Sequence, residues 1–125
     1  MIQIKLPYPP SINHYYKNGR NGIKYIGERG QQYRLEVLYI VKNAKIKSFG
    51  DSPVAVTVWL HQKDRRKRDI DNFQKCFFDA LTHASVWNDD SQIYELSIKK
   101  GNNFGVWIDP DGKGYCDVLI ENMGG

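Results

Sequence analysis

The chain has 125 residues, 41% hydrophobic and 26% charged, with 18 Lys+Arg against 14 Asp+Glu and a net charge of +4. That is one domain's length, enough to bury a core without covalent staples. No apolar run approaches the ~18 residues of a membrane span, and the two cysteines, Cys76 and Cys116, lack metal-type spacing, so membrane, disulfide-framework and zinc-ribbon classes are excluded. The first residues carry no signal-peptide pattern, which makes a cytoplasmic location the expectation, and the positive balance favours an anionic partner.

Residues 2–6 alternate apolar and polar as a short strand does, and Pro7, Pro9 and Pro10 stop it. Residues 11–30 read as a long exposed loop with four glycines and a brief extended piece at 23–26. Residues 31–48 suit a helix whose stripe runs through Leu35, Leu38, Val41 or Lys42, and Lys45 or Ile46, broadened by Tyr39 and Ile40, and Gly50-Asp51-Ser52-Pro53 ends it. Residues 54–60 are apolar or β-branched at nearly every position, as in a central strand covered on both faces. A second helical pattern covers 71–84, with Phe73, Phe77, Ala80, Leu81 and Ala84 on one face and Phe78 nearer the polar side. Residues 92–99 and 115–121 read as strands, Val106-Trp107-Ile108 as an extension or a further short strand, and Asp109 to Gly114 as a turn. The expectation is a single mixed α/β (α+β) domain, with a mixed sheet of about four strands packed against two main helices.

The chemistry concentrates between residues 63 and 90. Five of the six residues 63–68 are basic. Clustered Arg and Lys neutralise backbone phosphates, and arginine grips them bidentately. Arg65, Arg66, Lys67 and Arg68 are therefore candidate phosphate contacts. In Asp69-Ile70-Asp71 an extended backbone points both carboxylates the same way with Ile70 inward. Helix capping or an i,i+4 pair with Lys75 would explain Asp71 alone, but not Asp69 beside it.

A second acidic pair stands at Asp89-Asp90. A helix over 71–83 is about 18 Å long, and an extended 83–90 segment can span about 23–25 Å. The chain is thus long enough to return Asp89 or Asp90 to the Asp69/Asp71 end. Such carboxylates would suit a hard ion such as Mg²⁺, with Mn²⁺ as a substitute. Scattered His14, His61 and His83 offer no zinc motif, and no nucleotide loop or covalent-nucleophile motif, hence no organic cofactor, is apparent. Acids beside a basic patch point to metal-assisted phosphodiester cleavage, with Lys75 adding charge stabilisation.

The run Asp64 to Lys75, then Phe78-Asp79-Ala80-Leu81-Thr82, then Trp87-Asn88-Asp89-Asp90-Ser91-Gln92, together with Leu6 to Tyr16, closely resembles the RusA family of Holliday junction resolvases. The match is in order over most of residues 4–99 and departs after residue 100, where Gly101 to Gly114 is longer and rich in Gly and Asn. The resemblance implies a homodimeric, Mg²⁺-dependent endonuclease that cuts four-way DNA junctions by paired nicks. It implies Asp69, Asp71 and Asp90 as metal-binding catalytic acids and Lys75 as essential for catalysis. With DNA as the implied substrate, Arg65, Arg66, Lys67 and Arg68 become candidate DNA contacts, joined by Asn13, His14, Lys17 and Arg20 of the long loop and by Asn72 beside the acids, while Tyr15, Tyr16 and Trp107 are candidate interface aromatics. A DNA-binding module that does not cut, and a nuclease for other branched nucleic acids, are the competing expectations.

Overall fold

The computed structural model describes residues 1–11, 16–22 and 24–124. The elements follow the order β1 (Ile2–Pro7), β2 (Tyr16–Asn18), β3 (Lys24–Ile26), α1 (Glu28–Asn43), β4 (Val54–Gln62), α2 (Asp71–His83), β5 (Ile93–Lys99), β6 (Gly101–Asn102), β7 (Gly105–Ile108) and β8 (Tyr115–Asn122), with 3-10 turns at Arg20–Gly22 and Asp90–Gln92. β1, β8, β4, β5, β7 and β6 form one six-stranded sheet, while β2 and β3 form a separate hairpin. The mixed α+β class holds, and the sheet is larger than the expected four strands. The additional members are β7, which realises the separate short strand allowed for at Val106-Trp107-Ile108, and the two-residue β6, too short to leave a sequence pattern.

β4 is the central strand. β8 pairs along its whole length antiparallel, and its other edge takes β5 and then β7, both parallel. Burial alternates strictly along β4. Val54, Val56, Val58 and Leu60 join the core beneath both helices, while Ala55, Thr57, Trp59 and His61 are half-buried on the opposite face. The expectation of a strand fully covered on both faces is therefore corrected: only one face carries helices. Trp59 and the stacked rings of His61, Trp107 and Tyr115 give the other face partial cover without a second layer. Trp107, a candidate interface aromatic, is half-buried in that stack.

α1 buries Gly30, Tyr33, Val37 and Val41. Leu35 and Tyr39 lie on the outer side instead, 63% and 69% exposed. Tyr33 fixes the register, because its hydroxyl donates to the Pro7 carbonyl at 2.8 Å and so ties the helix to the end of β1. α2 buries Phe73, Cys76, Phe77, Phe78, Ala80 and Leu81. Phe78 belongs to the core because Trp87 packs over it, with ring centroids 6.3 Å apart. The two helices are clasped by Arg34 and Asp79, whose Nη2 and Oδ2 lie 2.9 Å apart.

The unit β4–α2–β5 positions the site. Parallel strands need a crossover, so α2 runs back along the sheet from the end of β4 to its beginning. β5 starts beside that beginning, with Ile93 paired to Val54. Gln92 locks this end, its Nε2 donating to the carbonyls of Gly50 and Ser52 at 2.7 and 2.8 Å. At the other end, the β7–β8 turn is closed by the buried Asp109 carboxylate, which accepts from the amides of Asp111, Lys113 and Gly114.

Candidate active site and nucleic-acid interface

The basic run forms a compact loop at the end of β4. Buried Gln62 holds it from within, donating to the carbonyls of Asp64 and Arg66 at 3.1 and 3.2 Å. Arg68 folds back onto the loop, its Nη1 donating to Asp64 Oδ1 at 2.8 Å and to the Arg66 carbonyl at 3.1 Å. These contacts order the loop and leave Arg65, Arg66 and Lys67 exposed. The Asp64 carboxyl is held at about 2, chiefly by the Arg68 guanidinium and then by the Arg66 amide.

Asp69 and Asp71 are both exposed, with the half-buried Ile70 packed against the core between them. Exposure alternates as expected, but the extended backbone expected to point both carboxylates the same way does not form: Ile70 is helical, with φ −59° and ψ −39°, because α2 begins directly after it. Side-chain capping does not explain Asp71, since Ile70 occupies the N-cap position of α2 and no side chain caps the helix, but as the first residue of α2 Asp71 does suit the helix dipole. Among the described residues Asp71 and Lys75 form no ion pair, so neither charge is matched by the other. Lys75 is exposed one turn into the helix and Asn72 is exposed beside Asp71. The Asn72 amide donates to the Asp69 carbonyl at 3.3 Å.

Asp90 lies elsewhere. It opens the 3-10 turn that leads into β5, beyond the opposite end of α2. Twelve residue steps of helix separate the ends of α2, roughly 18 Å. The expected return of the chain to the Asp69/Asp71 end does not occur, because Gln92 and the Asn88 amide anchor this segment to residues 50–52. Among the described residues no three His, Cys, Asp or Glu side chains come together to hold a metal ion. The donor chemistry suits a hard divalent ion, but one protomer leaves the set incomplete.

The 89/90 pair is also resolved into distinct environments. Asp89 is structural: its amide donates to Gln92 Oε1 at 2.8 Å, and Ser91 donates to its Oδ2 at 2.6 Å. That hydroxyl holds the Asp89 carboxyl below the ordinary carboxylate range. Asp90, next to it, is exposed.

Two clefts flank the basic loop. One, of about 440 Å³, lies between Tyr8–Ser11 and the loop and includes Asp69, Asn72, Arg29, Lys63 and Lys113. The other, of about 880 Å³, lies between the loop and the β6–β7 hairpin, with Lys99, Lys100 and Phe104 on its far side. Arg66, Lys67, Arg68 and Asp69 line both. Lys113, Lys99 and Lys100 are absent from the sequence-derived site, since only the sheet pairing brings them to the end of β4. Lys17 and Arg20 are exposed around the β2–β3 hairpin and line neither cleft, and Asn13, His14 and Tyr15 lie outside the described residues, as does the side chain of Tyr16.

Exposed carboxylates on a cationic ridge between two basic clefts define a phosphodiester-directed site. The family model described as Endodeoxyribonuclease RusA matches residues 7–108. The crossover junction endodeoxyribonuclease RusA of Shigella sonnei is 45% identical over 97 residues, covering 78% of this chain and 80% of that protein. The proteins of the same name from Escherichia coli K12 and Enterobacteria phage 82 are 44% and 43% identical over the same coverage. The chain belongs to the RusA endodeoxyribonuclease family. It is accordingly a hydrolase of DNA phosphodiesters, of a class that implies a divalent metal cofactor.

Proposed function

We propose that this protein resolves four-way DNA junctions by paired, Mg²⁺-dependent nicks, as a two-fold dimer in which each metal site is shared between protomers. The observation that carries the shared site is the placement of Asp69 and Asp71 at one end of α2 and Asp90 beyond the other. Two copies with their α2 helices antiparallel would bring Asp69 and Asp71 of each beside Asp90 of its mate, giving two equal sites. A four-way junction has a matching approximate two-fold symmetry. Support for the surface comes from β5, which pairs only with β4 among the described residues and exposes Tyr94 and Leu96.

Asp69 and Asp71 of one protomer with Asp90 of the other would hold the ion. When bound, it supplies a water of lowered pKa and offsets charge building on the phosphoryl oxygens. Arg65, Arg66 and Lys67 draw the sugar–phosphate backbone onto the ridge. Lys75 stands one turn from Asp71, where its ammonium adds charge stabilisation to the scissile phosphate. Asn72 orients the backbone beside the pair, and Arg68 both braces the loop and adds to its positive field. Mn²⁺ would serve as a substitute ion.

Incubating the protein with a synthetic four-way junction, with and without Mg²⁺, and mapping the nicks tests this reading. Symmetric nicks near the branch that require the ion are expected. Asp69→Asn should abolish cutting while binding is kept or tightened, because a like charge beside phosphate is removed. Cutting that survives in Asp69→Asn, or preferential cutting of flaps or RNA hairpins, would overturn it.

A further inference from the structure

Asn103 and Phe104 form a two-residue turn between β6 and β7, with Gly101 paired to Val106 and Asn102 to Gly105. Both turn residues have positive φ, 48° and 65°. Glycine is the usual occupant of the second position in such a turn, and a bulky residue there is strained. Phe104 is nevertheless fully exposed, at 110% of its reference area, and so gains no burial in the free protein. Nothing in the fold of one protomer accounts for an aromatic ring at this place.

The hairpin is held in a fixed relation to the basic loop. β7 pairs with the end of β4 at His61 and Gln62. Lys100 Nζ donates to the Arg68 carbonyl at 2.8 Å. A Cβ on Gly101 would collide with the Gly105 carbonyl, so the strands approach as closely as they do only because residue 101 has no side chain. The ring thus stands across a cleft from Arg65, Arg66 and Lys67, with Lys99 and Lys100 on its own side.

We infer that Phe104 is a base-stacking wedge that enters the branch point when DNA lies across the basic loop. The inference rests on the junction reading above and extends it to a residue that selects substrate shape. Apolar side chains on cationic, DNA-facing surfaces insert between base steps and kink or open the duplex, and an aromatic ring stacks on any base face without sequence preference. A branch point offers terminal base pairs that are already partly unstacked, so insertion costs less there than in continuous duplex. The charge of the cleft favours nucleic acid over a protein partner, because its lining carries six Lys and Arg residues against the single acid Asp69.

The test is equilibrium binding of the full-length protein, in EDTA, to a four-way junction carrying 2-aminopurine at the branch and to a linear duplex of the same sequence. Phe104→Ala is expected to weaken junction binding by about 5- to 150-fold, to leave duplex binding unchanged and to lose the wild-type rise in 2-aminopurine fluorescence. Phe104→Trp should restore all three. Phe104→Gly should share the binding defect while melting higher than wild type, since glycine relieves the positive φ, which separates DNA contact from folding. Junction affinity and fluorescence equal to wild type in Phe104→Ala would overturn the wedge and leave the junction reading intact. Loss of self-association in Phe104→Ala, measured by sedimentation without DNA, would also overturn it, by making the ring a contact between copies. Failure of the wild type to prefer junction over duplex would overturn the junction reading, and the wedge with it.

Discussion

Lys100 Nζ reaches the backbone carbonyl of Arg68 at 2.8 Å and so ties the strand that follows β5 to the last residue of the cationic run. A charged donor on a backbone carbonyl holds the loop without using any of its arginines. Lys100→Met keeps the aliphatic stem and removes the tie. Global stability should fall by about 1 kcal/mol. Amide exchange across residues 64–69 should accelerate by more than that global change accounts for, and junction affinity should fall several-fold. Exchange that tracks global unfolding alone would show the loop to be held by Gln62 and Arg68 without Lys100.

Gln62 performs the same service from inside. It is 1% exposed, with Nε2 shared between the Asp64 and Arg66 carbonyls, while its Oε1 meets no donor among the described residues. Gln62→Leu removes both hydrogen bonds but also the unsatisfied oxygen, so a net loss of about 1 kcal/mol is expected in urea unfolding. Gln62→Glu should cost clearly more, because it buries a carboxylate and replaces the amide donor facing the Asp64 and Arg66 carbonyls with an acceptor. Equal costs for the two variants would show that solvent reaches this position.

Most of the fold was legible where the pattern left one solution. α2 could be phased because Phe73, Phe77, Ala80 and Leu81 recur on one face, and all are buried. α1 could be phased only in part, because the stripe through Leu35 and Leu38 shares Val41 with the buried face but competes with Tyr33 and Val37. The choice was made by the Tyr33 contact to Pro7, 26 residues away in sequence. The exposure of Asp69 and Asp71 about an inward Ile70 was legible, but not the backbone between them, which is helical at Ile70 rather than extended. The position of Asp90 was not: chain length allowed a return beside α2, and only the hydrogen bonds from Gln92 to Gly50 and Ser52 direct the segment into β5 instead. The lysines of the clefts escaped for the same reason, since a β-sheet gathers residues distant in sequence.

Asp64 provides a pH handle on the loop. Its carboxyl is depressed from 3.8 to about 2, first by Arg68 and then by the Arg66 amide. A depressed carboxylate contributes ordering that is fully present above the unfolded-state value and is lost as pH falls through the folded value. Loop order should therefore be undiminished at pH 5, decline below about pH 4 and be lost completely only below pH 2. Titration of the Asp64 carboxyl carbon by NMR should give a midpoint near 2, returning toward 3.8 in Arg68→Met. A wild-type midpoint at the ordinary carboxylate value would mean that the Arg68 contact is not populated in solution.

The separation of Asp69 and Asp90 along α2 makes the shared site testable by complementation. Asp69→Asn and Asp90→Asn dimers should each be inactive. In a mixed dimer with sites shared between protomers, one site combines both altered residues, whereas the other combines intact Asp69 and Asp71 of one chain with intact Asp90 of its mate. Mixing the two inactive proteins under exchange conditions should therefore restore single-strand nicking of a four-way junction, toward half the wild-type rate per dimer in the mixed species. Paired cuts that release two duplexes should remain rare, because each mixed dimer owns one working site. Sites confined to single protomers would give no rescue at any mixing ratio. Mg²⁺ should likewise raise the melting temperature of the wild type and of the mixture by binding linkage, but not that of either altered protein alone.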